Sequence, residues 1–371
     1  MVDLKGQYEF IKPEIDVELQ KVLETTSFIN GPAVGEFQRD LENYLDVRHV
    51  IPCANGTDAL QIALMGLKLK PGDEIITADF TFAATVEVIG LLNLKPILVD
   101  VDPKTFNIDI AEIEKAITPK TKAIIPVHLF GQAAPMDEIM ELAHKHQLYV
   151  IEDNAQGIGA TYTKKDGSKA KTGTIGHVGA TSFFPSKNLG AYGDGGAIFT
   201  NDDDLAHFIR GIVNHGMYTR YYHDVVGVNS RLDSMQAAVL KIKLKYLDYY
   251  NERRKEAAKN YTRLLFDYPN IITPYRHAAC DSHVFHQYTL RILNQDRDAL
   301  VKFLNENQIP CGVYYPVPLH AQKAYASKHY KEANFKITNQ LVKEVISLPM
   351  HSELSLDQVE YIANKIKEFL G

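Results

Sequence analysis

Cysteine is scarce: Cys53, Cys280 and Cys311 are the only three in 371 residues, an odd number without framework spacing. They are expected to be packed thiols of a reduced protein, which makes the cytoplasm the expected compartment. No run reaches the ~18 uninterrupted apolar residues that a bilayer span needs. The opening Met1-Val2-Asp3-Leu4-Lys5-Gly6-Gln7 has no apolar signal core either. Basic charge is not in excess: a formal net charge of −6 leaves no electrostatic footprint for nucleic acid or an acidic membrane surface. Internal repeats, low-complexity tracts and Gly/Ser linkers are absent, so the parts of the chain are expected to pack together. Metal-ligand spacing is lacking too. Fourteen histidines are scattered, and only His283 and His286 stand three apart. They lie in a strand-like context without cysteine or carboxylate partners. A satisfied structural pair, and no metal, is expected there.

What is present is the balance of an ordinary globular protein, 45% hydrophobic and 23% charged. Beyond roughly 250–300 residues chains tend to split into domains. A large domain over 1–245 and a smaller one over 246–371 are expected. Short apolar runs at His49–Cys53, Glu74–Ala78, Ile97–Val101, Ala123–Val127 and Leu148–Ile151 alternate with helical patterns at Thr57–Leu67 and Met136–His146. This alternation predicts an α/β fold with a mainly parallel central sheet covered by helices on both faces. In such sheets ligands gather at the carboxyl ends of the strands. After Arg231 the texture changes. Leu232–Leu265 is predicted as one long helical stretch, His286–Ile292 alternates like a strand, and Asp298–Asn307 is helical, the pattern of a smaller α+β domain. Lys164–Lys171 has the composition of an exposed loop.

Three segments carry chemistry. Asn55-Gly56-Thr57-Asp58-Ala59-Leu60 follows a strand and opens a helix, where free N–H groups and the positive dipole end can hold a phosphate. Gly56 permits close backbone approach; a plain capped turn would look the same. Glu152-Asp153-Asn154-Ala155-Gln156 ends an apolar strand. Its acidic pair either faces water at the rim or meets a partner, since burial without one is costly. Asp153 against a cationic ring nitrogen is the arrangement of pyridoxal phosphate enzymes. Thr181-Ser182-Phe183-Phe184-Pro185-Ser186-Lys187-Asn188-Leu189-Gly190 embeds a lysine between apolar or small residues, with Gly193-Asp194-Gly195-Gly196 close behind. A desolvated lysine loses its proton readily, which Schiff-base chemistry requires; a lysine snorkelling beside a glycine-rich turn is the alternative.

These segments, with His215-Gly216 and Asn229-Ser230-Arg231, occur in one order that resembles the DegT/DnrJ/EryC1/StrS sugar aminotransferases, of the fold type I pyridoxal-phosphate class. The resemblance runs from about Phe28 to Leu348. It implies that Lys187 is the Schiff-base lysine and that Asp153 keeps the pyridine nitrogen protonated. Gln156 would stand near the phenolic oxygen, and Phe82 would stack on the ring. The phosphate would be held by Gly56, Thr57, Asp58 and Ser182, with Asn229 reaching in from a neighbouring subunit of a homodimer that shares its active sites. The amino group would pass from a donor, glutamate, through pyridoxamine phosphate to a keto-sugar nucleotide.

On the substrate side the resemblance implies a cleft lined by Phe28, Ile29, Phe184, His215, Arg231, Tyr314, Tyr315 and His320. The segments Cys53–Ile62 and Gly227–Asp233 are similar to the branch that aminates UDP-linked 2-acetamido-3-keto-glucuronate, for a surface polysaccharide or lipopolysaccharide sugar. Tyr314 departs from the histidine of that branch. Arg231 suits a uronate, because guanidinium binds carboxylate bidentately; an ion pair with Asp233 is the structural alternative. Three further alternatives stand beside this reading: amination of a dTDP-linked 3- or 4-keto-6-deoxy sugar, a dehydratase, which would carry histidine in place of Lys187, and a non-catalytic DegT-type regulator.

Overall fold

The computed structural model describes residues 1–371. Seven strands form the central sheet in the spatial order His49–Cys53, Gly196–Thr200, Val178–Ser182, Tyr149–Asp153, Thr121–Ile125, Glu74–Ala78 and Lys95–Val99. Only Gly196–Thr200 runs antiparallel to its neighbours. The other junctions within the sheet are parallel. Burial on both faces explains why these strands are nearly continuous apolar runs. One face packs a core that includes Ile76, Ile124, Val150 and Phe130; the other packs Ile75, Ala123, Ile151 and Ile198 against the helix Gly56–Gly66.

A second sheet, of the antiparallel strands Ile271–Ile272, Tyr288–Ile292 and Val345–Leu348, packs with the helices Leu247–Leu265, Arg297–Glu306 and Leu356–Leu370 around a separate core. The helical stretch expected over Leu232–Leu265 is two helices, Ser234–Lys245 and Leu247–Leu265, that meet at Tyr246. The two halves serve different cores. Ala237, Leu240 and Leu244 pack with Phe37, Phe183 and Phe199, whereas Ala257, Ala258 and Tyr261 pack with Leu290 and Ile346. Periodicity, being helical in both halves, could not show the bend. The expected loop over Lys164–Lys171 is the turn and second strand of a hairpin, in which Thr161–Thr163 pairs with Lys169–Lys171. No helix is long and apolar enough to cross a membrane.

Candidate active site

The chemistry-bearing residues collect at the carboxyl ends of the central strands, where crossovers leave a crevice. Asn55 caps the helix that follows the first strand, its side chain accepting from Asp58 N at 2.8 Å. No helical carbonyl precedes Gly56 and Thr57 to take their N–H groups. Gly56 is pressed onto the end of strand Val178–Ser182: a Cβ there would stand 2.6 Å from Ser182 Cβ. The helix N-terminus and the Ser182 hydroxyl thus form one cup.

Asp153 and Glu152 both sit on strand Tyr149–Asp153 and both are buried, so neither is a rim carboxylate. Glu152 is satisfied within the fold. It accepts Gly173 N at 2.7 Å, Ile175 N and Gly176 N at 2.6 Å each, and His128 Nε2 at 2.8 Å. Since His128 Nδ1 accepts from Ala134 N, its proton resides on Nε2 and the ring is neutral. Asp153 is different. It accepts only Thr85 Oγ1 at 2.8 Å and Ala155 N at 3.2 Å, and no lysine, arginine or histidine pairs with it. Burial pushes its carboxyl above the usual range, with those two hydrogen bonds opposing.

Lys187 lies in a tight loop closed by Lys187 N on Phe184 O at 2.8 Å and Ala191 N on Phe183 O at 2.7 Å. Gly190 is required there, since a Cβ would come within 2.3 Å of Pro185 O. Burial pushes the amine down to about 8, against the pull of the Asp153 carboxylate. About a tenth of the amine is therefore unprotonated at neutral pH, far more than for an ordinary exposed lysine. Gln156 Oε1 accepts Phe130 N at 2.6 Å, and its Nε2 donates to Tyr315 Oη at 3.2 Å. The Tyr315 ring faces Phe82 at 6.3 Å between centroids, and Phe82 is 58% exposed. Tyr315, expected on the substrate side, thus touches a residue expected on the cofactor side. Tyr314 meets it edge-on at 6.1 Å.

The remaining expected substrate residues fall into three places. His320 is bound to Asp79, which follows strand Glu74–Ala78: His320 N and Nδ1 each lie 2.7 Å from its carboxylate, and the ring stacks on Phe335. Phe184 is exposed at the lip of the lysine loop. Phe28 and Ile29, also exposed, are joined to the start of helix Ser234–Lys245 by Ser234 N on Phe28 O and an Ile29–Asp233 bridge. Near that helix start, Asn229 is exposed and bridges Asn214 through the backbone. Arg231 donates to Asn214 Oδ1 at 3.2 Å and has no ion pair with Asp233 or any other acid. His215 caps the same projection, its carbonyl accepting from His223 Nδ1. No hydrogen bond or ion pair within the chain joins this group to Lys187 or Asp153. Tyr221, Tyr222 and Val226 on the projecting segment are 75%, 68% and 86% exposed.

The residues fit pyridoxal phosphate. A glycine-lined helix N-terminus beside a hydroxyl suits the phosphate, and a buried carboxylate without an ion-pair partner suits a protonated ring nitrogen. A half-buried lysine with a depressed pKa suits the carbonyl. His128, Glu152 and Thr85 carried no expected role. Only their position beside the motif residues could have marked them.

Comparison with known proteins identifies the family. Residues 9–367 match the DegT/DnrJ/EryC1/StrS aminotransferase family. The chain is 49% identical over its full length to a "Pleiotropic regulatory protein" of Geobacillus stearothermophilus, covering 98% of that protein. It is 45% identical to the UDP-2-acetamido-2-deoxy-3-oxo-D-glucuronate aminotransferase of Pseudomonas aeruginosa, covering 97% of each chain. Among solved structures it resembles NtdA of Bacillus subtilis with bound cofactor PMP, with a TM-score of 0.88, 33% identity and coverage of 96% of this chain and 81% of that one. The chain belongs to the DegT/DnrJ/EryC1/StrS family and is a pyridoxal-phosphate-dependent sugar aminotransferase.

Proposed function

We propose that the chain transfers the amino group of glutamate to C3 of a UDP-linked 2-acetamido-3-keto-glucuronate, as a homodimer whose partner completes each site. The observation that carries the substrate is Arg231. Its guanidinium is steadied by Asn214 and has no carboxylate partner, so it is free to take a uronate bidentately. The Pseudomonas relative bears the name of that reaction. The dimer is supported by Asn229, His215 and Arg231 sharing a projection whose aromatic residues are exposed in the single chain.

When bound, pyridoxal phosphate supplies the electron sink and carries the amino group from donor to acceptor. The chain's own groups do the rest. The first-turn N–H groups at Gly56 and Thr57, with Ser182, hold the phosphate. Asp153 keeps a proton on the pyridine nitrogen, and Gln156, braced by Phe130 N and Tyr315, fixes the other edge of the ring. Lys187 Nζ takes the proton from the donor's Cα and, in the second half-reaction, returns one to C3 of the sugar. A second reading is a dTDP-linked 3- or 4-keto-6-deoxy sugar, since Tyr314 departs from the histidine that the resemblance to the uronate branch implies. A panel of UDP- and dTDP-linked keto-sugars with glutamate as donor tests the choice. The highest kcat/KM should fall on the UDP-linked 3-keto-uronate, and a preference for a neutral 6-deoxy sugar on dTDP would overturn it.

A further inference from the structure

Thr85 is the one polar side chain among the buried residues of the helix Ala84–Leu91, whose others are Ala84, Val86, Val88 and Ile89. A hydroxyl buried among apolar groups is costly unless it is bonded. A threonine inside a helix usually settles that cost by donating to the carbonyl three or four residues back. The Thr85 hydroxyl bonds neither Thr81 O nor Phe82 O. Its Oγ1 lies 2.8 Å from Asp153 Oδ2, the one bond that it makes.

The direction of that bond follows from its partner. An ionised carboxylate only accepts, so the hydroxyl donates. A proton placed on Oδ2 would compete with the donation, and the hydroxyl has no other acceptor in the chain. Asp153 Oδ1 accepts Ala155 N at 3.2 Å, so each oxygen has one donor. A carboxylate has about four acceptor sites, and room for a ligand's N–H remains.

Burial pushes the Asp153 carboxyl up, and the Thr85 donation is the strongest of the influences that pull it back. Lys187, His128 and Tyr315 are the titratable side chains that bear on it, and none of them hydrogen-bonds to the carboxylate.

We propose that Thr85 is a positioning residue for Asp153: its hydroxyl, donated to Oδ2, holds the carboxylate ionised and fixed, so that the proton shared with the ring nitrogen stays on the nitrogen. Without that donor the carboxyl becomes more basic, and the shared proton moves towards it. The inference rests on Asp153 facing the ring nitrogen. It deepens that reading by naming what sets the carboxylate's basicity.

Two substitutions separate this role from simple packing of the helix. Thr85→Val removes the donor and keeps the β-branched shape, whereas Thr85→Ser keeps a hydroxyl. The readout is the titration of the Asp153 carboxyl in the full-length protein freed of cofactor, by carbon-13 NMR of protein labelled at aspartate Cγ. Asp153→Asn identifies the signal. A lost donor destabilises the carboxylate, so Thr85→Val should raise the midpoint by about one unit, and Thr85→Ser should stay within about 0.3 unit of wild type. A wild-type midpoint in Thr85→Val, or the same rise in both variants, overturns the proposal.

A measurement on the unaltered protein guards against misfolded variants. The Thr85 hydroxyl proton should be protected from exchange above the Asp153 midpoint, and its NMR shift should change through that midpoint. A hydroxyl signal that ignores the midpoint overturns the proposal equally. The underlying reading is tested apart, with nitrogen-15 in the pyridine ring of the cofactor in the holoenzyme. The signal should be that of a protonated nitrogen in wild type and Thr85→Ser, and should move towards the unprotonated value in Thr85→Val. Movement in Asp153→Asn but not in Thr85→Val overturns the role of Thr85, whereas a signal unmoved in both shows that Asp153 does not face the nitrogen.

Discussion

Replacing Asp153 by asparagine should move stability and turnover in opposite directions. In the cofactor-free protein the carboxylate is buried with two hydrogen bonds and no ion pair, and burial raises its pKa above the unfolded value against those bonds and the Lys187 charge. The folded state therefore binds the proton more tightly than the unfolded chain. Above the unfolded pKa the charge costs stability, a cost that grows until the pH passes the folded pKa. Desolvation of an unpaired carboxylate costs several kcal/mol, and two charge-assisted hydrogen bonds return ~1.5–3 kcal/mol each. Because burial outweighs those bonds a net penalty is left, and each ~1 kcal/mol of it is worth roughly 2 °C in a chain of this size. The substituted amide carries no charge, can accept from Ala155 N and can donate to Thr85. The cofactor-free variant should therefore melt above wild type at pH 7, and the gap should close as the pH falls towards 4. Turnover should fall at least 100-fold, about 2.7 kcal/mol of barrier, because an amide cannot hold the ring nitrogen protonated. Scanning calorimetry of both cofactor-free proteins and a glutamate-coupled assay check the two halves. A lower melting temperature at pH 7, or a rate loss under about tenfold, would refute the reasoning.

Gly56→Ala should weaken cofactor retention at least tenfold in dialysis followed by absorbance. Its Cβ would meet Ser182 Cβ at 2.6 Å and push the helix N-terminus away from Ser182, an overpacking cost of ~1–3 kcal/mol; full retention would show that the phosphate is held elsewhere. Arg231→Lys keeps the charge and loses the planar fork, so KM for a 3-keto-uronate should rise about tenfold. The glutamate half-reaction should stay near wild type, and an equal loss in both would make Arg231 a general anion site. In the proposed homodimer Asn229→Ala should loosen the cofactor without altering sedimentation, and a fully active monomer would contradict shared sites.

The sequence was most informative where one chemical requirement fixes both residue type and place. The helix Met136–His146 has the bounds that its period and flanks predict, and the central strands are displaced by at most about two residues. Val178–Ser182, which carries Ser182, was not legible as a strand. Its Val-Gly-Ala-Thr-Ser has little apolar bulk, and its burial is imposed by Gly56 and by strand Gly196–Thr200 packing against it. The identities of Asp153 and Lys187 were legible from their motifs, but their environments were not. That Glu152 is spent on His128 and three backbone N–H groups while Asp153 stays unpaired depends on loop 173–176 folding back onto the strand. His286 shows the same limit. Its spacing from His283 suggested a pair that does not form: His283 stacks on Phe285 at 3.8 Å, and His286 Nδ1 lies 3.2 Å from Oδ1 of Asn188, far away in sequence.

The central claim is that Lys187 is the residue that carries the cofactor. The holoenzyme reduced with borohydride, digested and mapped by mass spectrometry tests it most directly, with Lys187→Ala as the control. The mass of reduced pyridoxal phosphate should appear on the peptide that contains Lys187, and the variant should carry no such label on any lysine. Label on a different lysine of the wild-type protein, or an unlabelled Lys187 in an enzyme that still transfers amino groups, would contradict the account.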